Sequence, residues 1–308
     1  MKTVFLFSGQ GSQYLKMGQD LLNDNQEFNS IYETAEKVLG YSLRDVVFGE
    51  DDAKLNRTIY SQPAIMATSL LAFEAAKKNG IEFEAVAGHS LGEYASMVTS
   101  GMLSLEDGFK VISARAEAME KCAEKNKGSM VAVMKLPAEK IEEICREIDG
   151  YVVPVNYNSP AQTVIAGEQS AVSKAVEALS GAGARCIPLK VASAFHSELM
   201  REASEEFYSK IKDVKFNAPS VKFYSNVLGT ELKDFSDMPS LLAKHIVSPV
   251  KFTSEMAEMS KDGFDTFIEL GPNKVLTGLV KKTLKEATAL NIENNATLEK
   301  ALEELKKA

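Results

Sequence analysis

Histidine and cysteine are scarce in this chain, with three of each among 308 residues. Cys122, Cys145 and Cys186 form an odd set with no C-x-x-C pair. That excludes a disulfide framework or a zinc ribbon and fits a reducing compartment. The three histidines are too scattered for a zinc pattern, and no G-x-x-x-x-G-K-[ST] is present, so neither a metal site nor a P-loop is expected. No apolar run approaches the roughly 18 residues that span a bilayer. The apolar run at residues 4–7 is too short for a signal-peptide core, and the expectation is a cytoplasmic protein that does not engage a membrane. A net charge of −8, from 35 Lys+Arg against 43 Asp+Glu, argues against a general nucleic-acid binder. With 45% hydrophobic and 25% charged residues, the rest reads as a globular chain of about two domain-lengths.

Residues 4–7 read as a short buried strand, and Gly9-Gln10-Gly11-Ser12-Gln13 as a turn into a helix. Residues 63–78 are apolar on most sides, as in a covered helix. A strand at 83–87 breaks at Gly88, and a helix from Leu91 stops near Gly101. Ser104 and Asp107 have capping-box spacing. Behind them Leu105, Phe109, Ile112, Ala116, Met119 and Ala123 form one stripe of an amphipathic helix. The middle of the chain alternates strand 130–134, helix 138–148, strand 152–157, a turn at Asn158-Ser159-Pro160, strand 163–166, helix 170–179 and strand 185–189. That βαββαβ order is the ferredoxin-like pattern. Beyond it come helices near 197–212, 239–246, 253–261 and 297–307, with strands at 221–225 and 266–270. The expected fold is α/β: a larger α/β-hydrolase-like domain with a parallel central sheet (1–125 and 193–308), interrupted by a ferredoxin-like subdomain (126–192).

Gly88-His89-Ser90-Leu91-Gly92 is a G-x-S-x-G placed after a predicted strand and before a predicted helix. A serine on such a turn exposes its Oγ as a nucleophile, and the Leu91 N–H at the helix N-terminus can donate to an oxyanion. A serine that merely caps the helix is the other reading. A serine nucleophile needs a base. His89 lies inside the turn and reads as a packed neighbour. His196 precedes a predicted helix, where a neutral ring would be favoured, and is the candidate base. Arg115 falls roughly 70° from the centre of the apolar stripe, half turned inward. It is either a snorkelling or ion-paired side chain or a bidentate carboxylate clamp.

Together with Phe7-Ser8-Gly9-Gln10-Gly11-Ser12-Gln13, Gln62-Pro63-Ala64, Glu93-Tyr94, Val155-Asn156-Tyr157-Asn158-Ser159-Pro160 and Gly271-Pro272-Asn273-Lys274-Val275-Leu276, these motifs resemble the malonyl-CoA:acyl-carrier-protein transacylase family of bacterial fatty-acid synthesis. The resemblance covers essentially the whole chain. It implies that Ser90 is the nucleophile, His196 its base without a carboxylate, and the backbone N–H groups of Gln10 and Leu91 the oxyanion hole. It further implies that Arg115 holds the malonyl carboxylate, with Gln62 and Asn156 also binding substrate. Malonyl-CoA and a phosphopantetheinylated acyl carrier protein would be substrates in a ping-pong reaction, with no bound cofactor, no metal, no nucleic acid, and a monomeric enzyme that meets its carrier transiently.

Where many relatives carry glutamine, this chain has His245, in Lys244-His245-Ile246-Val247-Ser248-Pro249-Val250. In the family that position orients the catalytic histidine largely through its main-chain carbonyl, which a side-chain change leaves intact. A basic docking patch for an acidic carrier is expected near the active-site mouth, including Lys281, Lys282 or Lys285. A thioesterase of the α/β-hydrolase type, a malonyl transferase serving polyketide assembly, and a catalytically silent acyl-binding domain are the other readings.

Overall fold

The computed structural model describes residues 1–191 and 193–307, so the expected boundary at Ala192 and the terminal Ala308 lie outside the described residues. Ten strands fall into two sheets: β1 Thr3–Phe7, β2 Ala85–Gly88, β3 Ser129–Met134, β4 Val152–Ser159, β5 Gln162–Gly167, β6 Arg185–Pro188, β7 Lys222–Ser225, β8 Thr230–Glu231, β9 Thr266–Leu270 and β10 Thr288–Ile292. The central sheet has the order β10-β9-β1-β2-β7-β8. Its pairs are parallel except the last, where β8 returns antiparallel on β7. Strands β1, β2 and β9 are buried throughout, as a parallel sheet covered on both faces requires. The two-residue period assigns the faces. Phe5 and Phe7 of β1 join the core under helices Thr58–Lys78 and Leu105–Lys125, whereas Val4 and Leu6 join the opposite core under helices Phe252–Lys261 and Val275–Thr283.

Helix Thr58–Lys78 is buried on nearly every side, which accounts for its uniformly apolar sequence. Pro63 within it cannot bond to the Ile59 carbonyl, and the Tyr41 hydroxyl approaches that oxygen at 3.4 Å. Ser104 caps helix Leu105–Lys125 through its Oγ, while the Asp107 carboxylate accepts from the Ser104 hydroxyl rather than from its backbone N–H.

The second sheet has the order β4-β5-β3-β6, with every pair antiparallel. Alternation in β3 again assigns its faces. Val131 and Val133 pack on helices Ala138–Glu147 and Gln169–Gly181, and Met130 and Ala132 face the main core. Both faces are therefore apolar, one toward its own helices and one toward the larger body.

Four local expectations are corrected. β4 continues through Asn158 and Ser159, so the hairpin turn is Pro160-Ala161. The segment after Gly9–Gln13 stays irregular until helix Gln19–Asp24. The α-helix after His196 begins only at Arg201, behind a 3-10 turn at Glu198–Met200. The strand expected to break at Gly88 includes it, β2 running Ala85–Gly88, and edge strand β10, helix Val275–Thr283 and the helices between residues 19 and 55 are additional to the elements read from the sequence.

Candidate active site

The reacting groups gather at the carboxyl ends of β1 and β2. β2 ends in Gly88, the chain turns through Ser90, and helix Gly92–Thr99 follows. Ser90 has φ +54°, in the left-handed region, which costs a non-glycine residue of order 1–3 kcal/mol. The flanking glycines are sterically required. A Cβ on Gly88 would stand 2.1 Å from the Gly92 carbonyl carbon, and one on Gly92 would stand 2.1 Å from the Phe7 oxygen. The turn thus lifts Oγ clear of the sheet.

His196, also left-handed at φ +61°, meets that hydroxyl with its Nε2 at 2.7 Å. Its Nδ1 donates to the carbonyls of His245 (3.0 Å) and Ser248 (3.2 Å), which assigns the proton to Nδ1 and leaves the Nε2 lone pair facing Ser90. Burial, the Arg115 charge and the nearby His89 push its pKa down to about 3, outweighing the two carbonyls. The neutral ring expected from a helix terminus is therefore present for a different reason.

Arg115 is 1% exposed. Its Nη2 donates to Ser90 Oγ at 3.0 Å, its Nη1 to Gln62 Oε1 at 2.8 Å, and the guanidinium lies 5.4 Å from the Tyr94 ring centroid. Among the described residues no carboxylate pairs with it, and Nε has no partner. Glu93 is the acid nearest in charge coupling, and burial pushes its own pKa up to about 8 against the opposing pull of the Asn226 N–H and Arg115. A buried cation without an anion is costly. The two ends of this guanidinium reach Ser90 Oγ and Gln62, an arrangement unlike a snorkelling surface side chain or a structural ion pair.

A cavity of about 150 Å³ lies in front of Ser90 and His196, walled by Gln10, Met119, Met130, Asn156 and Phe195. It continues into a groove of about 240 Å³ toward Gln162, Leu189 and Val275, and another of about 280 Å³ toward Arg57, Lys127 and Lys190. A larger groove of about 580 Å³ beside Phe28 and Leu70 contains none of these groups. Among the described residues, the backbone N–H groups of Gln10 and Leu91 have no acceptor within the protein; Gln10 lines the same cavity as Ser90, and Leu91 directly follows it in the chain. Asn156 is at the wall with its Oδ1 unpartnered. Gln62 is elsewhere. It is fully buried behind Arg115, with Nε2 3.6 Å from Met119 Sδ, and holds the guanidinium instead of lining the cavity. His89 bonds Asn158 Oδ1 at 2.8 Å and takes no part in the Ser90–His196 pair.

The acyl transferase domain family matches residues 4–306. A malonyl CoA-acyl carrier protein transacylase of Bacillus subtilis is 34% identical, over 99% of this chain and 98% of that protein. The chain belongs to the malonyl CoA-acyl carrier protein transacylase family. The solved MCAT structure from Streptococcus pneumoniae is 42% identical and superposes with a TM-score of 0.94, covering 98% of this chain and all of that one. A malonyl-transacylase in complex with a holo type II PKS acyl-carrier protein is 31% identical, with a TM-score of 0.94 over 99% of this chain and 100% of that one.

For a transacylase of this family, the sequence reading missed the groups behind the nucleophile. Asn226 accepts from the Ser90 N–H through Oδ1 at 2.7 Å, and its own N–H donates to Glu93 Oε1 at 2.5 Å. Glu93 Oε2 lies 3.2 Å from His245 Nδ1, off the line of a regular hydrogen bond, with both residues buried. Ser225-Asn226 at the end of a short predicted strand was the available clue. Its partners lie too far along the chain to be paired by eye.

Proposed function

We propose that Ser90 and His196 carry out a two-step acyl transfer in which Arg115 selects the acyl group. The enzyme is an acyl-carrier-protein S-malonyltransferase of fatty-acid synthesis. Ser90 Oγ attacks the thioester carbonyl of malonyl-CoA while His196 Nε2 takes the hydroxyl proton. The backbone N–H groups of Gln10 and Leu91 receive the developing oxyanion, each such donor contributing a few kcal/mol. Collapse expels the CoA thiolate, which recovers the proton from His196. The phosphopantetheine thiol of acyl carrier protein then passes its proton to Nε2 and its sulfur attacks the Ser90 ester through the same oxyanion hole; collapse breaks the acyl–Oγ bond, Nε2 returns the proton to Oγ, and the carrier departs with the malonyl group as a thioester. Thioester becomes ester and then thioester again, so malonyl-CoA and carrier are substrates and the chemistry needs no cofactor. His245 contributes the carbonyl that orients His196, and Asn156 offers an amide to the substrate.

The observation that carries this reading is Arg115: buried, unpaired with any carboxylate among the described residues, and 3.0 Å from Oγ. A malonyl carboxylate supplies the missing anion, and an acetyl group does not. On this reading the fold is α/β-hydrolase-like, with residues 126–192 a ferredoxin-like insertion, and the enzyme is a cytoplasmic monomer that meets its carrier transiently. No helix among the described residues is long and apolar enough to cross a membrane.

The test is intact-protein mass after brief exposure to malonyl-CoA or acetyl-CoA, with Ser90→Ala as control. A malonyl adduct on the wild type alone, with little acetyl adduct, is expected. Free CoA accumulating without an adduct would identify a thioesterase; no adduct and no turnover would leave a binding domain.

A further inference from the structure

Ser90 is held in a backbone conformation that its own sequence does not favour, so something outside the turn must impose it. β7 runs beside β2, yet their backbones pair only at Ala85↔Lys222 and Val86↔Phe223. Beyond that point the chains separate, and the elbow has no backbone partner from β7. Asn226, the residue after β7, fills this place with its side chain. Its Oδ1 accepts from the Ser90 N–H and its Nδ2 donates to the Gly88 carbonyl, both at 2.7 Å. A side-chain amide thus brackets the turn on both sides of His89, as a neighbouring peptide group would.

The amide cannot turn over. Reversed, Nδ2 would face an N–H and Oδ1 a carbonyl, so the surrounding groups assign its two ends. The second Nδ2 hydrogen goes to Glu255 Oε1 at 2.7 Å, and the backbone is fixed through Glu93 Oε1 and the Lys251 N–H. Asn226, Glu93 and Glu255 are all at most 2% exposed. Glu255 has no cation beside it among the described residues, and its Oε2 has no partner. Among the described residues, the one hydrogen bond of its carboxylate is the one from Asn226.

We propose that Asn226 is a positioning residue for the nucleophile, imposing the left-handed turn that aims Ser90 Oγ at His196, and that Glu255 fixes the Asn226 amide in the required sense. The proposal rests on Ser90 being the nucleophile. Asn226 touches neither substrate nor the reacting oxygen, so its loss should appear in the rate of Ser90 acylation and not in substrate binding.

The experiment is rapid-quench acylation by malonyl-CoA, read as intact mass, with KM measured separately and the melting temperature recorded. Asn226→Ala should lower the acylation rate constant at saturation by about 10²-fold, because misaligned reacting groups cost that order, with KM within threefold of wild type. Glu255→Gln keeps an acceptor for Nδ2 and should acylate within threefold of wild type. Glu255→Met removes the acceptor while filling the space and should be about tenfold slower at unchanged KM. Should Asn226→Ala not fold, the ordering of the two Glu255 variants decides. A folded Asn226→Ala enzyme with a wild-type acylation rate, or a Glu255→Met enzyme indistinguishable from Glu255→Gln, would overturn the proposal. Acylation of Ser90→Ala would overturn the nucleophile assignment itself, a separate result.

Discussion

The two sheets border one cavity, but they are built differently. The end of the central sheet holds left-handed residues at Ser90 and His196, a buried unpaired guanidinium, and the buried acids Glu93 and Glu255 tied to Asn226. The antiparallel sheet presents Met130, Ala132 and Val164 toward the same space, and Asn156 supplies an amide there. Strain and buried polarity are concentrated where atoms react. The opposite wall is mostly apolar packing, with Asn156 at the cavity and Asn158 and Gln162 along the groove. Residues of the central sheet should therefore set the rate of the chemistry, and residues of the antiparallel sheet should set how well substrate sits.

The comparison can be broken from either side. Ser90→Ala removes the nucleophile and should reduce malonyl transfer by at least about 10⁴-fold, assayed by adduct mass and turnover. Arg115→Ala should lower kcat/KM for malonyl-CoA by about 10²- to 10³-fold and leave acetyl-CoA nearly unchanged, so the ratio of the two substrates is the decisive readout. A retained malonyl preference would mean that another group reads the carboxylate. Lys281 and Lys282 lie in the last turn of helix Val275–Thr283, whose first residues line the groove, and Lys285 follows it. Reversing all three charges should raise the carrier KM about three- to tenfold while sparing acylation by malonyl-CoA. On the antiparallel wall, Asn156→Ala should raise KM for malonyl-CoA about two- to tenfold with kcat unchanged, the worth of one hydrogen bond. A large fall in kcat there would erase the division between the sheets. The smallest effect concerns pH. With the His196 pKa pushed down to about 3 and that of Glu93 pushed up to about 8, neither group changes charge over most of the acid side of neutrality, so kcat/KM should stay level within twofold from about pH 5 to 7. An acid limb at 6.5 would mean that the ring is less buried than it is here.

Much of this site was legible because local sterics dictate it. Gly88 and Gly92 are required by contacts within a few residues and with β1, so the strand-turn-helix could be read directly. The alternation in β1 and the βαββαβ order of the middle segment are local as well. Arg115 stayed ambiguous because its periodicity gives only a direction. The absence of a carboxylate partner among the described residues is what supports the proposed clamp, and that is a property of the assembled fold. Gln62 was placed on the substrate when it lies one layer behind, a distinction that needs depth as well as position along a helix. Asn226 and Glu255 were silent because the bonds that define them join strands and helices distant in sequence, Ser90 and Asn226 being 136 residues apart.

The missing carboxylate on the His196 ring has a consequence for the fate of the acyl-enzyme. Among the described residues the ring's Nδ1 is supported by two carbonyls and by no anion that would stabilise a lasting imidazolium. A thiol, with an ordinary pKa near 8.5, surrenders its proton to such a base far more readily than water, near 15.7. On the proposed mechanism the serine ester is thereby biased toward sulfur and against hydrolysis by the acidity of the incoming nucleophile, even with solvent at the door of the cavity.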